Sequence, residues 1–172
     1  MRGPGGIDFD ELGKQFQYGN IKFFYTVSRY HNPTGQSYTK KEREELVRLA
    51  DKYNVYIVED DIAADFETDT KRDPVYFSDI YDKVIYIKSF SKILMPGLRL
   101  AAVVLPPLLL NVFLDYKQWT DTYSAILSQG ALTIFLESGM YQKNRKEIRR
   151  IYMDRMKKLK DTAAGIDTGG EI

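Results

Sequence analysis

Six side chains in this sequence have types and an order that suit one piece of chemistry. Lys92 follows Ser91 in the motif SFSK (89–92), which Ser89 opens, and Arg99 closes the PGLR turn just beyond. Asp60 is the middle residue of an EDD triplet, and Asn32 belongs to HNPTG (31–35). A lysine amine can form a Schiff base with an aldehyde. Two hydroxyls and an arginine suit a phosphate, which the planar guanidinium grips through parallel hydrogen bonds. A carboxylate set against a pyridine nitrogen keeps that nitrogen protonated, and an amide can donate to a phenolic oxygen on the same ring. Each demand of a phosphate-bearing cofactor with an aldehyde and a pyridine ring thus has one candidate.

These residues act together only if the chain brings them to one place. The runs KFFYTV (22–27), VYIV (55–58), VIYI (84–87) and LAAVVL (100–105) read as four strands, rich in aromatic and β-branched residues. Asp8 with Glu11 forms a capping-box signature for a first helix, with Ile7 and Leu12 spaced as a hydrophobic staple and Gly19-Asn20 as its stop. Thr39 with Glu42 gives a second box, ahead of a helix with Leu46, Val47, Leu49 and Ala50 on one face. After Pro106-Pro107 the chain reads as mainly helical, broken at Ser138-Gly139, with a loose tail over 165–172. Alternating strands and helices with near-continuous apolar strands predict an α/β fold around a mostly parallel sheet. Ligands in such sheets sit at the carboxyl ends of strands. HNPTG, EDD and SFSK follow the first, second and third strands, so they converge there.

The 172 residues suit one ordinary domain, and 44% hydrophobic content supplies a core. A net charge of +1 carries no nucleic-acid signature, and the absence of cysteine excludes disulfides and thiolate metal sites. No apolar run reaches membrane-spanning length and the first residues lack a signal-peptide core, so a cytoplasmic protein without membrane contact is expected. Glu59, Asp60, Asp61 and Asp65 could offer oxygen ligands to Mg²⁺, but that explains neither HNPTG nor PGLR. Asp61 reads better as a helix cap or loop charge. His31, the only histidine, is assigned no chemistry, Trp119 is read as packing, and Tyr25 and Tyr30 as core aromatics. The basic residues from Lys143 to Lys160 read as a solvated helix face, so no direct nucleic-acid binding is expected of this segment.

In combination, HNPTG, VEDDIAADF (58–66) and SFSKILMPGLRL (89–100) closely resemble fold-type I pyridoxal-phosphate enzymes of the class I/II aminotransferase group. The resemblance is closest to the branch holding 2-aminoadipate-type aminotransferases and the aminotransferase-like domains of GntR-type (MocR) regulators, and it runs from about Gly5 to about Lys160. It implies Lys92 as the Schiff-base lysine and Asp60 as the pyridinium partner. It implies Asn32 as donor to the phenolic oxygen, and Ser89, Ser91 and Arg99 as phosphate ligands. It implies pyridoxal 5'-phosphate as cofactor, an amino acid and a 2-oxo acid as substrates, a homodimer, helices on both faces of the sheet, and an antiparallel strand after Lys92.

Two departures stand out. The family places a tyrosine two or three residues after the aspartate, where this chain has Ile62 and Ala63. Family members also carry a phosphate loop before the matched region and a substrate-binding small domain after it. Residues 1–105 are therefore expected to form the cofactor-lysine half of a large domain, and 106–172 its helical continuation, within one structural unit. An aminotransferase is the leading expectation. A cofactor-binding effector domain of a regulator, or a chain inert by itself, are the alternatives.

Overall fold

The structure, a computed structural model, describes residues 2–3, 6–67, 69, 72–120 and 125–164. The chain divides into two compact units, 1–129 and 130–172. In the first, a two-stranded ribbon, β1 (Arg2–Gly3) and β2 (Gly6–Ile7), precedes helix α1 (Phe9–Tyr18). A four-stranded sheet follows: β3 (Phe23–Thr26), β4 (Tyr56–Asp60), β5 (Val84–Ser89) and β6 (Ala101–Val104), in that spatial order. Helix α2 (Lys40–Lys52) joins β3 to β4, and α3 (Pro107–Thr120) follows β6.

The caps form where the sequence places them. The Asp8 carboxylate accepts from the Glu11 backbone N–H at 2.9 Å, but Glu11 does not complete the box, and its carboxylate accepts from the Gln15 amide instead. At α2 the box is complete: Thr39 Oγ1 accepts from the Glu42 N–H, and the Glu42 carboxylate accepts from the Thr39 N–H. Those contacts satisfy donors that the first turn of a helix otherwise leaves unpaired.

β3, β4 and β5 run parallel and β6 is antiparallel to β5. Parallel neighbours need a long crossover, which α2 provides between β3 and β4. The connection from β5 to β6 contains only tight turns, including a 3-10 turn at Pro96–Leu98, so the chain comes back antiparallel.

Strand alternation gives the sheet two different faces. Phe24, Thr26, Ile57, Glu59, Val84 and Tyr86 share one face through the registers Phe24↔Ile57, Thr26↔Glu59, Ile57↔Val84 and Glu59↔Tyr86. Leu12 and Phe16 of α1 and Leu46, Val47, Leu49 and Ala50 of α2 pack on it, with Val55, Ile57, Val75 and Val84, as the buried core. Phe16 meets Phe24 edge to face at 5.6 Å. Each fully buried aliphatic side chain there contributes about 1.5–3 kcal/mol. The expected helical layer is thus seen on this face. The other face carries Phe23, Tyr25, Tyr56, Val58, Asp60, Ile85, Ile87 and Ser89, all half-buried or exposed.

Two sequence expectations need correction. Trp119 does not pack: it is 85% exposed, on a helix α3 that buries no residue. Tyr25 is not a core aromatic, because alternation turns Phe24 inward and leaves Tyr25 61% exposed.

Helix α4 (Ile126–Glu137) leads into the second unit, which holds α5 (Met140–Ala164). Gly139, at φ +74, lets the chain turn between them. Tyr141 is buried and meets the Phe135 ring edge to face. The long basic helix α5 is mostly exposed, and Arg150 pairs within it with Glu147 and Asp154. The tail over 165–172 lies outside the described residues.

Candidate functional site

The EDD triplet decides the geometry at the strand ends, because the strand continues through it. β4 extends to Asp60, with Thr26 opposite Glu59 and Ile87 opposite Asp60. Successive acids therefore point to opposite faces.

Glu59 enters the covered face and is completely buried. Its carboxylate accepts from the Ser28 hydroxyl and from the backbone N–H groups of Val75 and Tyr76, at 2.8 and 2.9 Å. Burial pushes its pKa above the usual glutamate value, against the lowering effect of those three donors. Asp61 is also buried, which corrects its reading as a cap or loop charge. Both its oxygens accept from the Arg29 guanidinium, and Oδ2 accepts from the Tyr86 hydroxyl at 2.7 Å. Burial lowers the Arg29 pKa, but the bonds and charge of Asp61 outweigh it and hold it raised. Burial and Asp61 together push the Tyr86 hydroxyl far up. Arg29 also donates to the Arg72 carbonyl at 3.2 Å. Two of the three acids thus tie the segment after β3 and the segment before β5 to the end of β4.

Asp60 alone points to the open face. Its Oδ2 accepts from the Tyr25 hydroxyl at 2.8 Å, and its other oxygen has no hydrogen-bond partner among the described residues. That arrangement leaves a carboxylate oxygen able to receive an N–H. Among the described residues no group of three His, Cys, Asp or Glu side chains could hold a metal ion, and the opposed directions of the triplet explain why.

Ser89 ends β5 opposite Ala101 on that same open face, and its Oγ accepts from the Ser91 N–H at 3.2 Å. Phe90 N–H donates to the Leu100 carbonyl, which brings Arg99, one residue earlier, beside the Ser89 turn. Lys92 lies in that turn with its side chain exposed. Neither Lys92 nor Arg99 makes an ion pair among the described residues, whereas nearby Lys88 is paired with Asp65 at 2.9 Å. Asn32 lies in the exposed loop after β3, before a cis Asn32-Pro33 bond. The His31 side chain in that loop bonds Thr34 at 3.1 Å.

Backbone strain marks the same loops. Five described non-glycine residues have positive φ, and three of them are Asn or Asp, which tolerate it. The other two are Tyr30, after β3, and Arg99, before β6, each at φ 51. Such outliers cost on the order of 1–3 kcal/mol and gather at binding sites.

The six sequence-predicted residues are therefore distributed over adjacent ends of β3, β4 and β5 and the start of β6. A cleft of about 200 Å³ beside β3 is lined by Tyr25, His31 and Thr34 among others, and by none of the six. A larger one of about 740 Å³, between α2 and residues 73–81, contains none of the six. Strand-end chemistry rather than volume locates the site. Sequence reasoning reads Tyr25 as core and weighs Glu59 only as a metal ligand, and it misses Arg29. Tyr25 alone left a signal, since alternation puts it on the opposite face from Phe24; it pairs with Val58, two residues before Asp60.

A model of the family described as "Aminotransferase class I and II" matches residues 4–170. An uncharacterized HTH-type transcriptional regulator, YcxD, from Bacillus subtilis is 47% identical over 154 residues, covering 90% of this chain and 35% of the relative. An uncharacterized aminotransferase from Saccharolobus solfataricus is 32% identical, over 87% of this chain and 39% of that protein. The α-aminoadipate aminotransferase LysN from Thermus thermophilus superposes with TM-score 0.75 at 30% identity, over 89% of this chain and 40% of its own. The kynurenine aminotransferase from Pyrococcus horikoshii gives 0.80 at 28%, over 87% and 39%. The chain spans between a third and two fifths of the length of these proteins.

Proposed function

The chain belongs to the class I and II aminotransferases, and from that premise we propose that it is the cofactor-lysine portion of a pyridoxal-phosphate-dependent aminotransferase. Amino-group transfer between an amino acid and a 2-oxo acid is the reaction, in a cytoplasmic homodimer. Residues 1–105 carry the site and 106–172 continue it as helices. The observation that carries the reading is Asp60: one carboxylate of the triplet faces away from the core, with one oxygen held by Tyr25 and the other open among the described residues.

The residues present fit the cofactor. Asp60 would hold a proton on the ring nitrogen. The Ser89 and Ser91 hydroxyls and the Arg99 guanidinium would take the phosphate, and Asn32 would donate to the phenolic oxygen. When bound, the cofactor supplies the aldehyde and the electron-withdrawing ring. Lys92 would hold it covalently and, once released by substrate, carry the proton from the substrate α-carbon. The buried Glu59 and Asp61 contacts hold the strand end so that Asp60 keeps its direction.

A second reading is favoured by one observation each from sequence and relatives. Ile62 and Ala63 stand where the family has a tyrosine, and the 47% identical relative is a transcriptional regulator. In this reading the chain is part of an effector-sensing domain, binding the cofactor without turnover.

The test is a half-reaction. The purified chain is loaded with pyridoxal phosphate, mixed with a panel of L-amino acids, and followed by its visible spectrum. Conversion to the amine form of the cofactor, reversed by a 2-oxo acid, supports the enzyme. A spectral change without conversion supports the sensor. No cofactor-dependent absorbance at all contradicts both.

A further inference from the structure

We propose that Tyr25 is a positioning residue that aims Asp60 at a ring nitrogen; the proposal rests on the role given to Asp60 above. Tyr25 stands opposite Val58 in the parallel register, and Asp60 lies two residues farther toward the carboxyl end on the same face. A phenol is long enough to cover that step, and its hydroxyl donates to Asp60 Oδ2 at 2.8 Å. At 61% exposure this tyrosine is not placed by core packing. Its neighbour Phe24 does the packing, against Phe16.

The chemistry follows from the acceptor inventory of a carboxylate. An aspartate at a strand end can rotate about its last torsion and offer either oxygen. The Tyr25 hydroxyl engages one oxygen and so fixes that rotation. The second oxygen is left to accept a charged N–H. The Asp60 bond also raises the Tyr25 pKa, with burial and the Asp60 charge adding to it, so the phenol keeps its proton and stays a donor. The ligand class this pair suits is a protonated heteroaromatic nitrogen.

The test compares pyridoxal phosphate with its 1-carba analogue, which lacks the ring nitrogen, on the wild type, Tyr25→Phe and Asp60→Asn. Tyr25→Phe is expected to weaken pyridoxal phosphate roughly three- to tenfold, the worth of one hydrogen bond, and to leave the analogue's affinity unchanged. Equal weakening of both ligands, or of neither, overturns the positioning role. If Asp60→Asn leaves pyridoxal phosphate affinity unchanged, or the wild type does not bind it, the role of Asp60 fails and that of Tyr25 with it. A readout without cofactor accompanies these: in an ultraviolet pH titration of the chain alone, Tyr25 is expected among the raised tyrosines, with Tyr30 and Tyr86. One raised step should be lost in Tyr25→Phe, and one should move toward the ordinary value in Asp60→Asn, while the steps of Tyr30 and Tyr86 stay in place. A titration unaltered by Asp60→Asn contradicts the contact itself.

Discussion

The two faces of one four-stranded sheet put neighbouring carboxylates to opposite uses. On the covered face, Glu59 and Asp61 are buried and their oxygens are engaged by Ser28, Val75, Tyr76, Arg29 and Tyr86. On the open face, Asp60 holds one bond among the described residues, to an exposed tyrosine. A buried charge with every partner in place is a structural element, and losing one partner is costly. A half-buried charge with an oxygen to spare costs little to change and is available to a ligand. The lysines repeat the contrast, Lys88 paired to Asp65 and Lys92 in no ion pair among the described residues. Residue type alone does not separate site from scaffold here; the face does.

Substitutions can break that comparison. Asp61→Asn strands the Arg29 guanidinium in a place where the two side chains are 9% and 0% exposed. A loss of about 3–5 kcal/mol is expected in urea unfolding. Glu59→Gln turns an amide toward the Tyr76 N–H and should cost about 1–3 kcal/mol. It should also change the pH dependence. Glu59 binds its proton more tightly folded than unfolded, so its contribution to stability is full below the unfolded value of 4.5 and falls as pH rises through it toward the raised folded value. In Glu59→Gln that decline should disappear from a plot of unfolding free energy against pH. Thr39→Ala, which opens the capping box of a helix covering the same face, should cost about 1 kcal/mol in the same assay. Asp60→Asn should change stability by less than about 0.5 kcal/mol, yet it should weaken pyridoxal phosphate far more than any of the other three. A large stability loss in Asp60→Asn would erase the distinction between the faces.

Much of this fold was legible from local signals. The starts of α1 and α2 are written in Asp8 and Thr39, and four apolar runs mark the strands of the four-stranded sheet. The convergence of HNPTG, EDD and SFSK followed from the rule that parallel sheets place function at strand ends. What was not legible depended on distant partners. Asp61 finds Arg29 and Tyr86 at sequence separations of 32 and 25, and nothing near it announces a buried ion pair. Glu59 likewise meets Ser28 and Val75 only after the strands pair. Tyr25 was misassigned because composition says that strand aromatics are buried, while parity says that either Phe24 or Tyr25 must face out. Trp119 was misassigned on residue type alone, since α3 buries none of its residues.

The most direct measurement sets Lys92 against its neighbour. The chain is incubated with pyridoxal phosphate and reduced with borohydride, and the adduct is mapped by mass spectrometry. The account predicts a single adduct on Lys92, abolished by Lys92→Ala and unaffected by Lys88→Ala. An adduct on Lys88, or label spread over the exposed lysines of α5, would contradict it.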